Sequence, residues 1–194
     1  MIVRTVRAFQ ECDAIKEIVI VTREDLIIPI MDLCGGYSKV QAVVLGGADR
    51  AASVAAGLNV LSEKVKLAAI HDGARPLVSW EVIDRTVRAA NSYGAAAPAI
   101  PVKDTIKVVR GGVVDHTPDR STLQAVQTPQ VFDIALLRGA LQKAAKDSVV
   151  ITDDCSAVEH MGMSVKIVSG DEKNLKITTP MDLKIAQMLL EESL

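Results

Sequence analysis

Apolar and polar positions along this chain switch between two periods, and each switch marks an element. Val3, Val6 and Phe9 recur at about helical spacing, so the chain opens on a predicted helix. EIVIVT at 17–22 is a β-rich apolar run and reads as a buried strand. Residues 24–33 follow with a helical pattern that Pro29 interrupts. AVVL at 42–45 predicts a short strand ended by Gly46-Gly47, and 49–61 a helix with Asp49 near its N-terminus. LAAI at 67–70 is a third strand that runs into HDGARP. Ser79 is the expected N-cap of a helix from Trp80 to Asn91, after which Gly94 precedes the extended stretch AAAPAIP.

The pattern changes between about 102 and 122. IKVV, Gly111-Gly112 and VVDH read as a β-hairpin poor in large apolar residues. Such an arm buries little surface alone and is expected to project and pack on a partner subunit. The alternation then resumes with a helix at about 133–146, the stretch ITDDCSAVEHMG, the strand VKIV at 165–168 and a closing helix at about 180–192. Strand–helix alternation predicts an α/β domain spanning 1–194, with a mostly parallel sheet covered on both faces. In such sheets ligands bind at the carboxyl ends of the strands, so the loops that follow strands come first.

Composition narrows the possibilities. The 194 residues are 49% apolar and 24% charged, which suits one folded domain and argues against disorder. Net charge is −2, without the basic surplus of a nucleic-acid binder. There is no apolar run of 18 residues for a membrane span, and the arginine-bearing start lacks the apolar core of a secretory signal. Cys12, Cys34 and Cys155 are scattered and odd in number, which points to reduced thiols in the cytoplasm.

Several loops carry chemistry. In HDGARP, the Asp72 carboxylate could bind a divalent cation and the Arg75 guanidinium a phosphate, or the two could simply pair in a turn. In LGGADRAASV, a Gly-Gly turn feeds a helix whose N-terminus attracts anions, with Ser53 within reach. PVKDTIK, TPDR and QTPQVF place Thr105, Arg120 and Thr128 around the arm, a hydroxyl and guanidinium set suited to phosphate or polyol. ITDDCSAVE reads as a capping Thr152 followed by acids in a helix's first turn. NLKITTP sets Lys176 among apolar β-formers, where its ammonium needs a counter-charge or snorkels from a strand.

In this order and spacing, GG-x-x-R-x-x-SV, HDGARP, PVKDTIK, DRSTLQAVQTPQVF, ITDDCSAVE and NLKITTPMDL closely resemble the 2-C-methyl-D-erythritol 4-phosphate cytidylyltransferase family. The resemblance implies a three-layer Rossmann-like nucleotidyltransferase sheet with a projecting β-arm. It implies CTP and methylerythritol phosphate as substrates, Mg²⁺ as cofactor, and a homodimer that exchanges arms. By the family pattern Asp72 helps hold the metal. Arg120 and Lys176 position the sugar phosphate, with Arg120 reaching the neighbouring subunit's site. Arg75, Thr105, Thr128 and Thr152 line the substrate pocket, and Gly46, Gly47 and Ser53 meet the cytidine end.

Two departures accompany the resemblance. Gln124 stands where the family often has tryptophan. The family's opening strand and glycine-rich triphosphate loop have no counterpart, so the chain is expected to start late. If that segment is truly lacking, weak turnover and poor folding are expected. The alternatives are a ribitol-5-phosphate cytidylyltransferase, or an impaired form that only binds ligand.

Overall fold

In the computed structural model, which describes residues 1–191, the chain forms an α/β fold. α1 (Ile2–Glu11) leads into β1 (Ile18–Thr22), α2 (Ile27–Cys34), β2 (Val40–Leu45), α3 (Arg50–Leu58) and β3 (Leu67–Ile70). Then come α4 (Trp80–Tyr93), β4 (Ala95–Pro101), the hairpin β5 (Val108–Arg110) and β6 (Val113–His116), β7 (Gln124–Val126) and β8 (Gln130–Asp133). α5 (Ile134–Lys146), α6 (Asp154–His160), β9 (Lys166–Ser169) and α7 (Pro180–Glu191) complete the order. The closing helix matches its expected span as far as residue 191; residue 192 lies outside the described residues.

Local chemistry explains most boundaries. Asp49 accepts the Ala52 amide and Ser79 the Val82 amide, satisfying first-turn donors of α3 and α4. Gly94 ends α4 at φ +81°, a left-handed position open to glycine at little steric cost. Pro29 sits in the first turn of α2, where a missing N–H costs nothing, so the helix survives it. At the start of α6 the cap is Asp153 and not Thr152. Asp153 accepts the Ser156 amide while the Ser156 hydroxyl receives the Asp153 amide, a reciprocal box that Thr152 cannot form from one residue earlier.

Two strands escaped the sequence reading. β8 pairs antiparallel with both β3 and β4, and β7 pairs antiparallel with β4. β9 runs parallel to β4, so β3, β4 and β9 share one direction within this sheet. β1 and β2 form a separate parallel pair. Residues of β1 and β3 line a common apolar cavity of about 740 Å³, and among the described residues no strand lies between them.

α5 and α6 pack through Leu137, Ala140, Leu141, Ala157 and Val158 against Phe132 and the alanines of β4. α1 and α4 bury Phe9, Val82 and Ile83 together. The core therefore sits on both sides of β3, β4 and β8, which fixes the loops at their ends. Among the described residues the hairpin β5–β6 pairs only within itself; it turns through Gly111 and Gly112 at positive φ and exposes Val109, Val113 and Val114. No helix among the described residues is long and apolar enough to cross a membrane, and all three cysteines are buried and free.

Candidate active site

The loop leaving β3 carries His71, Asp72 and Arg75, and the loop after β9 carries Asn174 and Lys176. Hydrogen bonds tie the two loops together. Ile177 N–H donates to the Ala74 carbonyl at 2.8 Å, and Arg75 Nη1 donates to the Asn174 carbonyl at 2.7 Å. Lys176, expected among β-formers, therefore lies on a loop and not on a strand. Its Nζ reaches Asp72 Oδ2 at 3.2 Å, and Arg75 Nε meets the same oxygen at 3.3 Å. Partial burial works to raise the Asp72 carboxyl, but Lys176 and then Arg75 outweigh it and hold the group below the usual carboxylate range.

QTPQ positions these loops from beneath. Gln127 is buried, donating to the Asp171 carbonyl and accepting the Asp171 amide. Gln130, also buried, donates to Asp153 Oδ2 and accepts the amides of Asp154 and Cys155. Between them Thr128 precedes a cis proline and is only 4% exposed. Its hydroxyl is engaged by the Asp72 amide at 3.1 Å and by His71 Nδ1 at 3.0 Å. Asn174, fully buried, donates to the Thr128 carbonyl at 2.9 Å.

A second charged pair stands nearby. Arg50, first residue of α3, donates to Asp154 Oδ2 at 2.6 Å. Asp154 is fully buried, and that burial pushes its carboxyl up to about 6 despite Arg50. The sequence shows each residue only as a helix-start charge; 104 positions separate them.

The Gly46-Gly47 turn is built for close approach. Ser53 Oγ accepts the Gly47 amide at 3.1 Å and donates to the Asp49 carbonyl at 2.8 Å. A Cβ at Gly47 would meet the Ala52 Cβ at 2.3 Å. Gly46, Gly47 and Ser53 line a polar cleft of about 510 Å³ with Thr22 and Arg23.

The structure thus joins Asp72, Arg75, Lys176 and Thr128 in one cluster, and Gly46, Gly47 and Ser53 in another. Thr152 is exposed beside the α6 cap, its amide held by Ser156 Oγ. Thr105 and Arg120 lie exposed at the base of the arm, and Arg120 Nη1 donates to the Lys103 carbonyl at 2.8 Å. Sequence reasoning missed His71, Gln127, Gln130, Asn174 and the Arg50–Asp154 pair. HDGARP and QTPQ held the first three in plain view, but their partners are distant in sequence.

A carboxylate gripped by two cations on loops that follow strands, in a fold that also carries a Gly-Gly turn entering a helix, suits an α/β enzyme handling nucleoside phosphates, a nucleotidyltransferase. The comparisons specify which. The family model described as IspD, 2-C-methyl-D-erythritol 4-phosphate cytidylyltransferase, matches residues 1–192, and the chain belongs to that family. A relative of that name from Symbiobacterium thermophilum is 45% identical over 193 residues, covering 99% of this chain and 81% of the relative. Another from Caldanaerobacter subterraneus is 43% identical, covering 97% and 85%. The structure superposes on 4-diphosphocytidyl-2C-methyl-D-erythritol synthase from Anaerococcus prevotii with a TM-score of 0.91, at 32% identity over 98% of this chain and 85% of the other. The cytidylyltransferase from Thermus thermophilus gives 0.83 at 34% identity, covering 97% and 87%.

Proposed function

We propose that this site joins CTP to 2-C-methyl-D-erythritol 4-phosphate. An oxygen of the sugar phosphate attacks the α-phosphorus of CTP. The bond from that phosphorus to the oxygen bridging the β-phosphate breaks, and its electron pair leaves with pyrophosphate. The attacking phosphate is largely deprotonated at neutral pH, so no general base is needed. The protein's work is alignment and the placement of positive charge.

The convergence of Lys176 and Arg75 on Asp72 carries this reading. Lys176 holds the sugar phosphate for attack, and Arg75 with Thr105 and Thr152 walls the acceptor pocket. Thr128 belongs to that wall by position. Gly46, Gly47 and Ser53 receive the cytidine end in their cleft.

Mg²⁺ fits this donor set in one way. No group of three or more His, Cys, Asp or Glu among the described residues could hold a metal. Asp72 would therefore hold it as a single carboxylate, with phosphate oxygens and water completing the oxygen shell this ion favours. When bound, it would draw charge from the α-phosphate as the transition state forms.

The exposed valines of the hairpin suit contact with a second copy, and Arg120 at the arm's base is placed to enter that copy's site in a homodimer. Three free cysteines suit a reducing compartment such as the cytoplasm.

Ribitol 5-phosphate, a straight-chain polyol phosphate, is the competing acceptor. Pyrophosphate release from CTP, compared with either acceptor at equal concentration, separates the two. Faster release with methylerythritol phosphate is expected; faster release with ribitol 5-phosphate overturns the acceptor assignment.

A further inference from the structure

Resting on the reading of Asp72 above, we propose that His71 and Thr128 are positioning residues, a two-residue relay whose hydrogen bonds fix the Asp72 backbone and so aim its carboxylate.

The hydrogen-bond roles follow from the partners. His71 Nε2 lies 3.2 Å from the Arg75 carbonyl oxygen, which can only accept. Nε2 therefore carries the proton. In a neutral ring Nδ1 is then an acceptor, and it stands 3.0 Å from Thr128 Oγ1. The Thr128 hydroxyl must donate to it. Its oxygen keeps lone pairs, and one accepts the Asp72 amide at 3.1 Å. With the ring neutral each link leaves the next one role, and the relay runs from Arg75 through His71 and Thr128 to Asp72.

The surroundings hold this arrangement. The Phe9 ring lies 4.8 Å from the His71 ring, centroid to centroid, and covers it from α1. Thr5 donates from the same helix to the Gly73 carbonyl at 3.0 Å. Asn174 holds the Thr128 carbonyl at 2.9 Å. Burial of the ring against Phe9 disfavours a charge on His71. The Thr128 hydroxyl spends its proton on His71, so its hold on the Asp72 amide adds to its place in the acceptor wall.

Without the relay, the Asp72 amide loses its acceptor and the β3 loop loses the contact that sets its angle. The carboxylate then meets Lys176 and a metal-bound nucleotide in a spread of positions. Small misplacements of aligned groups cost large factors in binding and rate.

Thr128→Val keeps the shape and removes the hydroxyl; Thr128→Ser restores it. Amide hydrogen exchange at Asp72 and titration of Mg²⁺·CTP binding are measured for wild type and both variants. Imidazole nitrogen NMR of the wild type gives the tautomer of His71, a readout that needs no variant to fold. The expectation is an Nε2–H tautomer, with Asp72 exchange faster and Mg²⁺·CTP binding weaker in Thr128→Val, each by about tenfold or more, and both recovered in Thr128→Ser. An Nδ1–H tautomer overturns the proposal. So does unchanged Asp72 exchange in Thr128→Val, or failure of serine to restore it. If wild type binds no Mg²⁺·CTP, the cytidylyltransferase reading fails, and tautomer and exchange decide the relay alone.

Discussion

Lys176 Nζ and Asp72 Oδ2 stand 3.2 Å apart across two loops that are 104 residues distant along the chain, and the side chain of Lys176 remains 48% exposed. The ammonium is thus held by one carboxylate yet open to a ligand phosphate. An exposed ion pair of this kind adds little to stability. Its placement suits the proposed hold on the sugar phosphate.

Lys176→Ala is therefore expected to lower kcat/KM by about a hundredfold or more while shifting the melting temperature little. Arg120→Ala, at an exposed position, is expected to behave alike. Steady-state kinetics beside thermal unfolding checks both. Unchanged kinetics in both variants rejects these assignments.

Asp72→Asn keeps the size of the side chain and removes its charge. It is expected to raise the Mg²⁺ concentration needed for half-maximal rate by about tenfold or more, because a neutral amide is a poorer ligand for a hard cation. Titrating Mg²⁺ at fixed substrates reads this directly.

Gly47→Ala places a methyl against Ala52, 2.3 Å from its Cβ and 3.0 Å from its backbone carbon. Neither neighbour is a flexible side-chain tip, so the turn itself must move. A loss of about 1–3 kcal/mol of stability is expected, together with weaker CTP binding. Chemical unfolding and nucleotide titration measure the two effects.

His71 gives a pH signature. Its folded value of about 4 lies below the unfolded value near 6.5. As pH falls through that window the unfolded chain takes up the proton first, so His71 lowers stability progressively from about 6.5 down to about 4 and contributes nothing further above it. His71→Asn lacks this term. The melting-temperature advantage of wild type over the variant is expected to shrink by a few degrees as pH falls through the window.

Much of this was legible from pattern. The strands ending at Thr22, Leu45 and Ile70, the caps Asp49 and Ser79 and the Gly111-Gly112 turn all follow from neighbours in sequence. Asp72 and Arg75 sit three apart, so their pairing was within reach. β7 is only the three residues QAV, too short to show a period, and β8 was hidden because QTPQVF carries a proline and three polar residues and reads as a loop. Its glutamines are buried only because Asp171, Asp153 and the α6 amides arrive from 20 to 45 residues away to satisfy them. The cap of α6 turned on Ser156 answering Asp153, a reciprocal bond that composition does not reveal. The Arg50–Asp154 pair depends on α3 and α6 packing near one end of the sheet, which is tertiary information.

Everything assigned to this site turns on a phosphate oxygen of the sugar substrate attacking the α-phosphorus of CTP. Methylerythritol phosphate bearing heavy oxygen in its phosphate probes that step, with mass spectrometry of both products. All the label is expected to remain in the cytidine diphosphate conjugate, with none entering pyrophosphate. Label in pyrophosphate, or pyrophosphate formed without the conjugate, would refute the assigned reaction.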